Sequence, residues 1–529
     1  MNTRRDFLRR AGLGLAGVAL FPGVGKSAGS GFLPSLARQA ASGGQPLEQS
    51  KPNILFIMSD EHNATVLGAN GNKLIRTPHL DALAAGGISF DACYCNSPLC
   101  VPSRESFLSG QYVSRTGVWG NNCELPRADI PAVPSLLNAA GYESFLCGKM
   151  HLAADRRYGY TDVGGNFNKS VKTGHGGRRA PDDLPGQGLS ERFTEFHTGN
   201  KSGILQHDTA VTEGSVNFLK SRPAGAKPFF LTVGYLAPHF PLIVPQEFWQ
   251  HYEGRVPMPN IPDGYLDKLP LNYKHLRAGF KMEHVPPETV KKGRELYYGL
   301  TEWVDAQIGQ VLAALRASPH AENTIIIYTT DHGENMGEHG LWWKNCVYDT
   351  AARIPLIVHW PRRWPGGARR AGACSLVDVA RTIVEAGGGA APANWDGASM
   401  LGWLDRSDAP WKDTAITEYY AHNIASGYVM IRQGSFKYVY HTPADEKHPA
   451  QRELYDLHAD PGELHNLAAD PAQADKVAAL HAALLKELRE HPDETEKRCR
   501  AGSARGEGKG KGGKGKKGSK KNKAANDGE

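Results

Sequence analysis

Asn53-Ile54-Leu55-Phe56-Ile57-Met58-Ser59 is an apolar run with no polar alternation. A strand with one wet face alternates; a strand covered on both faces reads as continuous apolar residues, the mark of a parallel sheet. Just downstream, Thr77-Pro78 sets a capping residue and a first-turn proline ahead of a segment that stops at Gly86-Gly87, so a helix follows the strand. The two textures then repeat. Further buried strands are predicted at 142–147, 229–235, 324–330 and 356–360, with helices at 134–140, 209–220, 294–317 and 376–386. Such alternation predicts an α/β fold, a large and mostly parallel sheet sandwiched by helices.

Beyond about Trp411 the texture changes. Short strands at 415–420, 428–432 and 436–441, a further one at 453–457 and an amphipathic helix at 472–491 predict a smaller antiparallel sheet with one helix. The chain from Arg500 is rich in Gly, Lys and Ser and reads as a disordered tail. The expected organisation is an export signal and spacer over 1–49, a catalytic α/β domain over 50–410, a small α+β subdomain over 411–499 and the tail over 500–529.

The net charge of +6 does not describe the body of the protein. Residues 501–529 carry a net +6 and residues 1–50 a net +4, so residues 51–500 are mildly acidic. That distribution excludes a nucleic-acid groove. Near the start, Thr3-Arg4-Arg5-Asp6-Phe7-Leu8 and Arg9-Arg10 precede a short apolar run from Ala11 to Phe21. The run is too short for the ~30 Å of a bilayer core, so no stable membrane anchor is expected. It resembles a twin-arginine signal, which implies the twin-arginine export machinery and a periplasmic or extracellular location. The eight cysteines follow no zinc-binding spacing and define no disulfide connectivity.

Cys100-Val101-Pro102-Ser103-Arg104 concentrates the chemistry. A cysteine just before a proline-initiated helix sits near unpaired N–H groups and a positive dipole end, a setting that favours an anion. By itself this fits a structural cysteine at a turn or a plain thiol nucleophile equally well. Asp60-Glu61 and Asp331-His332 each close a predicted strand, where α/β sites gather. Strand-end carboxylates also serve as helix caps and ion-pair partners.

Taken together, these segments resemble the type I sulfatases of the alkaline-phosphatase-like superfamily. Cys100 to Arg104, continuing to Gly110, resembles the C-x-P-S-R signature; residues 54–62 resemble the first metal strand and Gly148-Lys149-Met150-His151 the G-K-x-H motif. Pro238-His239-Phe240-Pro241, Thr330-Asp331-His332-Gly333-Glu334, Gly340-Leu341-Trp342-Trp343-Lys344 and residues 452–467 resemble further family motifs, in family order. The resemblance is to exported bacterial arylsulfatase-like and choline-sulfatase-like members. It implies that a formylglycine-generating maturation enzyme converts Cys100 to formylglycine. One hydroxyl of the hydrated aldehyde attacks sulfur, and the second then expels sulfate.

The resemblance also implies site roles. Asp60, Glu61, Asp331 and His332, with residue 100, would hold one divalent metal. Arg104 would hold formylglycine; Lys149 and Lys344 would clamp the sulfate charge. His239 would protonate the leaving alcohol, and His151 would act as the base for sulfate release. Calcium is the expected ion, but many members carry Asn where His332 stands, and an imidazole admits manganese, magnesium or zinc. The substrate expected is a sulfated glycan or a small sulfate ester. A formylglycine-dependent phosphonate monoester or phosphodiester hydrolase is the alternative, and an inactive exported glycan-binding protein a further one. Residues 155–201, with His175, Arg178 and Arg179, read as a long loop open to substrate recognition or to solvent. Trp342, Trp343 and Tyr348 could stack on a sugar or fill the core.

Overall fold

The computed structural model describes residues 51–507 except 126, 128, 154, 169–176, 185–187 and 365. The export signal, His175 and the lysine-rich end from residue 508 lie outside the described residues. The apolar run forms strand β1 (Asn53–Asp60), buried along its whole length. With it, β2 (Ile88–Tyr94), β3 (Glu143–Leu152), β4 (Thr161–Asn168), β5 (Phe229–Pro238), β6 (Thr324–Thr330), β7 (Arg353–Ile354), β8 (Leu356–His359) and β9 (Ala368–Ser375) build one sheet. The order is β7-β2-β8-β6-β1-β5-β3-β4, with β9 also paired to β2.

From β6 to β4 the strands run parallel, while β8 is antiparallel to both β6 and β2. Ser59 pairs with Thr330 and Asp60 with Pro238, so β1, β5 and β6 end at one common edge. Helices cover both faces, as expected. On one side lie α1 (Pro78–Ala85), α4 (Gly203–Ser221) and α5 (Pro287–Arg316); on the other lie α2 (Cys100–Ser109), α3 (Val133–Ala139) and α6 (Leu376–Ala386).

Helix α2 is buried on every side. Phe107 stacks on Phe56 with ring centroids 4.6 Å apart, which pins the helix to β1. Its start differs from expectation: Cys100 is the first helical residue rather than lying ahead of a Pro102-initiated helix, and Leu99 is the cap. Gly148 permits the close approach of β3 and β5. It has φ +96°, and a Cβ there would lie 2.1 Å from the carbonyl oxygen of Gly234.

A second sheet of four antiparallel strands, β10 (Thr414–Tyr419), β11 (Tyr428–Gln433), β12 (Phe436–His441) and β13 (Gln451–Asp456), follows in sequence order. Leu480, Leu484 and Leu488 line one face of α7 (Ala474–Leu488) and pack with Val429, Ile431 and Tyr438 of that sheet. Burying each leucine contributes about 1.5–3 kcal/mol. The small sheet is tied to the large one through Thr417, whose hydroxyl donates to the Cys95 carbonyl at 2.6 Å, and Asn96, whose amide donates to Ile416 O at 3.0 Å.

Two expectations need correction. The chain does not become irregular at Arg500: helix α8 (Pro492–Glu507) runs through it, and Arg500 bonds Glu496 at 2.7 Å and the Ala425 carbonyl at 2.7 Å. Nor is the segment 155–201 only loop. It supplies β4, an edge strand paired to β3 with three register shifts that break its periodicity in sequence. Among the described residues no helix is long and apolar enough to cross a membrane.

Candidate active site

The candidate site residues gather at the shared edge of the parallel strands, whereas the motif at 452–467 belongs to the small sheet and the turn after it. Asp60 and Glu61 end β1, Asp331 and His332 follow β6, Lys149 and His151 lie at the end of β3, and His239 follows β5. Cys100 enters from the N-terminus of α2, whose dipole presents positive charge there. Cys100 Sγ lies 3.2 Å from His332 Nε2, 3.4 Å from Lys344 Nζ and 3.9 Å from Asp60 Oδ1. The side chains are buried: Asp60, Arg104, Asp331 and His332 are all at 0% exposure.

Arg104 organises the two acids. Its Nη2 meets Asp60 Oδ2 at 2.9 Å and its Nε meets Asp331 Oδ2 at 2.8 Å, while Nη1 donates to the Lys149 carbonyl at 2.9 Å. Lys149 Nζ adds a second cation to Asp60 Oδ2 at 2.7 Å. Burial alone would raise the Asp60 carboxyl, but Lys149 and then Arg104 hold it well below the usual carboxylate range. Burial is likewise opposed at Asp331, where Arg104 keeps the carboxyl low. Both acids are therefore carboxylates at neutral pH.

This donor set fits a metal ion. A carboxylate oxygen from each of Asp60 and Asp331, His332 Nε2 and Cys100 Sγ all lie within 4.8 Å of one another, the spread of donors around a single divalent cation. His332 Nδ1 donates to the Gly333 carbonyl at 3.0 Å, which leaves the Nε2 lone pair facing the acids. Glu61 falls in a second grouping, with Asp60 and His239. Its Oε2 is 3.3 Å from both Lys344 Nζ and His239 Nε2.

His239 and Lys344 act as a pair. Nζ of Lys344 lies 2.8 Å from His239 Nε2, while His239 Nδ1 makes a short hydrogen bond to the Phe240 carbonyl. A carbonyl only accepts, so Nδ1 carries the ring proton and Nε2 takes one from Lys344. Burial, then Lys344, pushes His239 down to about 4, so the ring is neutral at pH 7. Phe167 of β4 packs against both motif residues of β3: the Lys149 ammonium is 4.9 Å from its centroid and the His151 ring meets it edge-on at 5.2 Å. Glu61, His151 and Trp343 hold positive φ (66°, 59° and 63°), at about 1–2 kcal/mol each.

The sequence reading gave no role to Glu334, Arg192 or His422. Burial, and then the neighbouring Glu61, pushes the Glu334 carboxyl well above its usual range. Its Oε1 accepts from the Trp343 amide at 2.6 Å. The signal was its place in the Asp-His-Gly-Glu motif. Arg192 and His422 carry no motif signal, because they reach the site from distant segments. Trp342, Trp343 and Tyr348 are core residues, at most 2% exposed. Arg178 pairs with Glu496 at 3.0 Å and Arg179 with the Asp183 carbonyl, so both are structural.

A family model described as Sulfatase matches residues 52–389, and one described as N-sulphoglucosamine sulphohydrolase, C-terminal, matches 337–491. The chain belongs to the sulfatase family. As a member it is a sulfuric ester hydrolase. A sulfatase of Formosa agariphila is 30% identical over 83% of this chain and 87% of its own length. A choline-sulfatase of Rhizobium meliloti is 29% identical over 78% and 81%. Among solved structures, one in complex with D-glucosamine-2-N,6-O-disulfate superposes with TM-score 0.65 at 22% identity, covering 84% of this chain and 100% of that one. The phosphonate monoester hydrolase of Agrobacterium radiobacter gives TM-score 0.68 at 22% identity, over 83% and 95%. These likenesses bear out the alkaline-phosphatase-like fold of the sulfatase.

Proposed function

We propose that this sulfatase hydrolyses sulfate monoesters of organic alcohols, with Cys100, converted to formylglycine, carrying the attacking hydroxyl. The observation that supports this most is the placement of Cys100 Sγ 3.2 Å from His332 and 3.4 Å from Lys344, inside a buried group of acids and cations. Asp60, Asp331 and His332, with Glu61 nearby, would hold a divalent cation. When bound, that cation lowers the pKa of an attacking hydroxyl and shields the sulfate oxygens. Arg104 fixes the two acids and so orients residue 100. Lys149, beside Asp60, and Lys344, beside Cys100, offset the charge that develops on sulfate.

Proton transfer falls to the histidines. His239 starts neutral, and Lys344 supplies the proton that the pair delivers to the departing alcohol. His151, beyond Lys149 on β3, is the base that serves sulfate release. If His239 works this way, its loss matters most for poor leaving groups. His239→Ala is expected to slow a sugar sulfate by about 10²–10⁴-fold and nitrophenyl sulfate far less, because a phenolate leaves without full protonation. Steady-state kinetics on the two substrates check this; equal losses on both would overturn the assignment.

The donor set also carries a prediction for the ion. His332→Asn replaces an imidazole nitrogen with an amide oxygen, so preference is expected to move towards calcium over manganese or zinc. Elemental analysis after equilibration with mixed ions reads this directly. An unchanged preference would mean that His332 does not bind the ion.

The same proposal includes export by the twin-arginine route, supported by Arg4-Arg5 and the short apolar run, and maturation by a formylglycine-generating enzyme, supported by the Cys100–Arg104 signature. A second reading, phosphonate monoester hydrolysis on the same nucleophile, draws on the likeness to the Agrobacterium enzyme and on His332. Parallel assays with an aryl sulfate and an aryl phosphonate separate the two: the sulfatase reading fails if the phosphonate is the better substrate.

A further inference from the structure

Arg192 stands on the short helical turn Glu191–Glu195, far in sequence from every motif. Its guanidinium lies over three aromatic rings, 4.5 Å from the centroid of Phe240, 5.0 Å from Trp343 and 5.6 Å from Phe280. Two of those residues adjoin catalytic groups. Phe240 stacks on His239 at 4.5 Å, and Trp343 directly precedes Lys344. The guanidinium is thus within two 4.5 Å stacking steps of the histidine placed at the leaving oxygen. One sugar ring with its substituents bridges that span.

His422 reaches the same cluster from the small sheet. Its ring meets Phe280 edge-on at 5.7 Å, and the loop that carries it is fastened by Tyr419, whose hydroxyl donates to the His422 carbonyl at 3.0 Å. Tyr419 in turn accepts from the Asn345 side chain at 2.9 Å, next to Lys344. Both Arg192 and His422 are half-buried, so solvent reaches them. Among the described residues no partner hydrogen-bonds the His422 ring nitrogens. Burial, then Arg192, Lys344 and Arg178, lowers His422 to about 4. The ring is therefore neutral and offers an N–H, and the positive field that holds off its second proton attracts an anion.

Resting on the sulfatase reading above, we propose that Arg192 and His422 form a subsite for a second anionic group, a carboxylate or a further sulfate, on the leaving alcohol. The preferred substrate is then a polyanionic sulfated glycan. A guanidinium beside aromatic rings recognises such a group through paired N–H donors, and it repels a quaternary ammonium. Choline sulfate is accordingly a poor substrate for this chain.

Matched ligands isolate the charge. Calorimetry on the full-length Cys100→Ala protein, which binds without turnover, compares a sulfated uronate disaccharide with its uronate methyl ester, and a disulfated with a monosulfated hexosamine. The pair that responds tells carboxylate from sulfate. The charged member is expected to bind about ten- to a hundredfold tighter, the range for hydrogen bonds to charged groups. Adding Arg192→Gln is expected to bring that ratio to within about threefold, and Arg192→Lys to restore it in part, because charge returns without the fork. A merely structural Arg192 would weaken all ligands alike and leave the ratio standing. The proposal is overturned if both ratios are near one in the Arg192 protein, or if the ratio survives Arg192→Gln. Turnover of nitrophenyl sulfate by the matured wild-type enzyme tests the sulfatase reading separately.

Discussion

Replacing Cys100 with alanine is expected to lower kcat by roughly 10⁵-fold or more, the scale on which other enzymes lose a covalent nucleophile. The fold should tolerate the change. Cys100 is the first residue of α2, and alanine is the best helix former, so only the buried sulfur is lost. The surrounding acids and cations keep their partners in one another: Arg104 still holds Asp60 and Asp331, and Lys344 still holds Glu61. Cys100→Ser is expected to lose nearly as much, since a serine lacks the second hydroxyl that expels sulfate. Peptide mass spectrometry of wild-type protein made with a maturation enzyme should show residue 100 lighter by one thiol-to-aldehyde exchange. Full wild-type activity with an unmodified Cys100 would falsify the mechanism.

The second large effect is expected at Asp331, and the structure dictates which substitution to use. One carboxylate oxygen faces Arg104 at 2.8 Å; the other accepts from the Glu61 amide at 3.2 Å and the His332 amide at 3.0 Å. Alanine would strand both amides in a buried site, at about 1–3 kcal/mol each, and would confound a metal effect with a folding effect. Asp331→Asn keeps an acceptor for the two amides, but it removes the charge and turns an NH2 group towards Arg104 Nε, where an accepting oxygen stood. Metal content should fall from one equivalent towards zero, and kcat/KM by about 10³-fold or more, because the ion supplies several kcal/mol of stabilisation. Some loss of thermal stability is expected as well, since Arg104 retains Asp60 as its only buried carboxylate. Elemental analysis alongside kinetics and a melting curve checks all three. Normal turnover by chelated, metal-free enzyme would end the metal role.

Much of this protein was legible in order along the chain. A run such as Asn53–Ser59 reads as a strand covered on both faces, and β6 and α6 fall where the residue pattern sets them. The strand ends then bring Asp60, Asp331, Lys149 and His239 to one edge, because parallel strands in register finish together. The chemistry of these residue types, read with the motifs, named the candidate site.

The residues that the sequence hid are those whose meaning lies in a neighbour far away in the chain. β4 is an irregular edge strand, defined by its pairing with β3 and not by its own periodicity. Trp342, Trp343 and Tyr348 could have faced a substrate as well as a core; only packing buried them. The Glu334 carboxyl is pushed up by burial and then by Glu61, a residue of another strand end. Arg192 and His422 are brought together by Phe280, between segments that share no motif. Sequence alone determined most of the elements, the family and the candidate site residues, since these follow from local pattern and residue chemistry. Tertiary structure decided which charges come close enough to offset one another, because electrostatic energy depends on distance and burial and not on position along the chain.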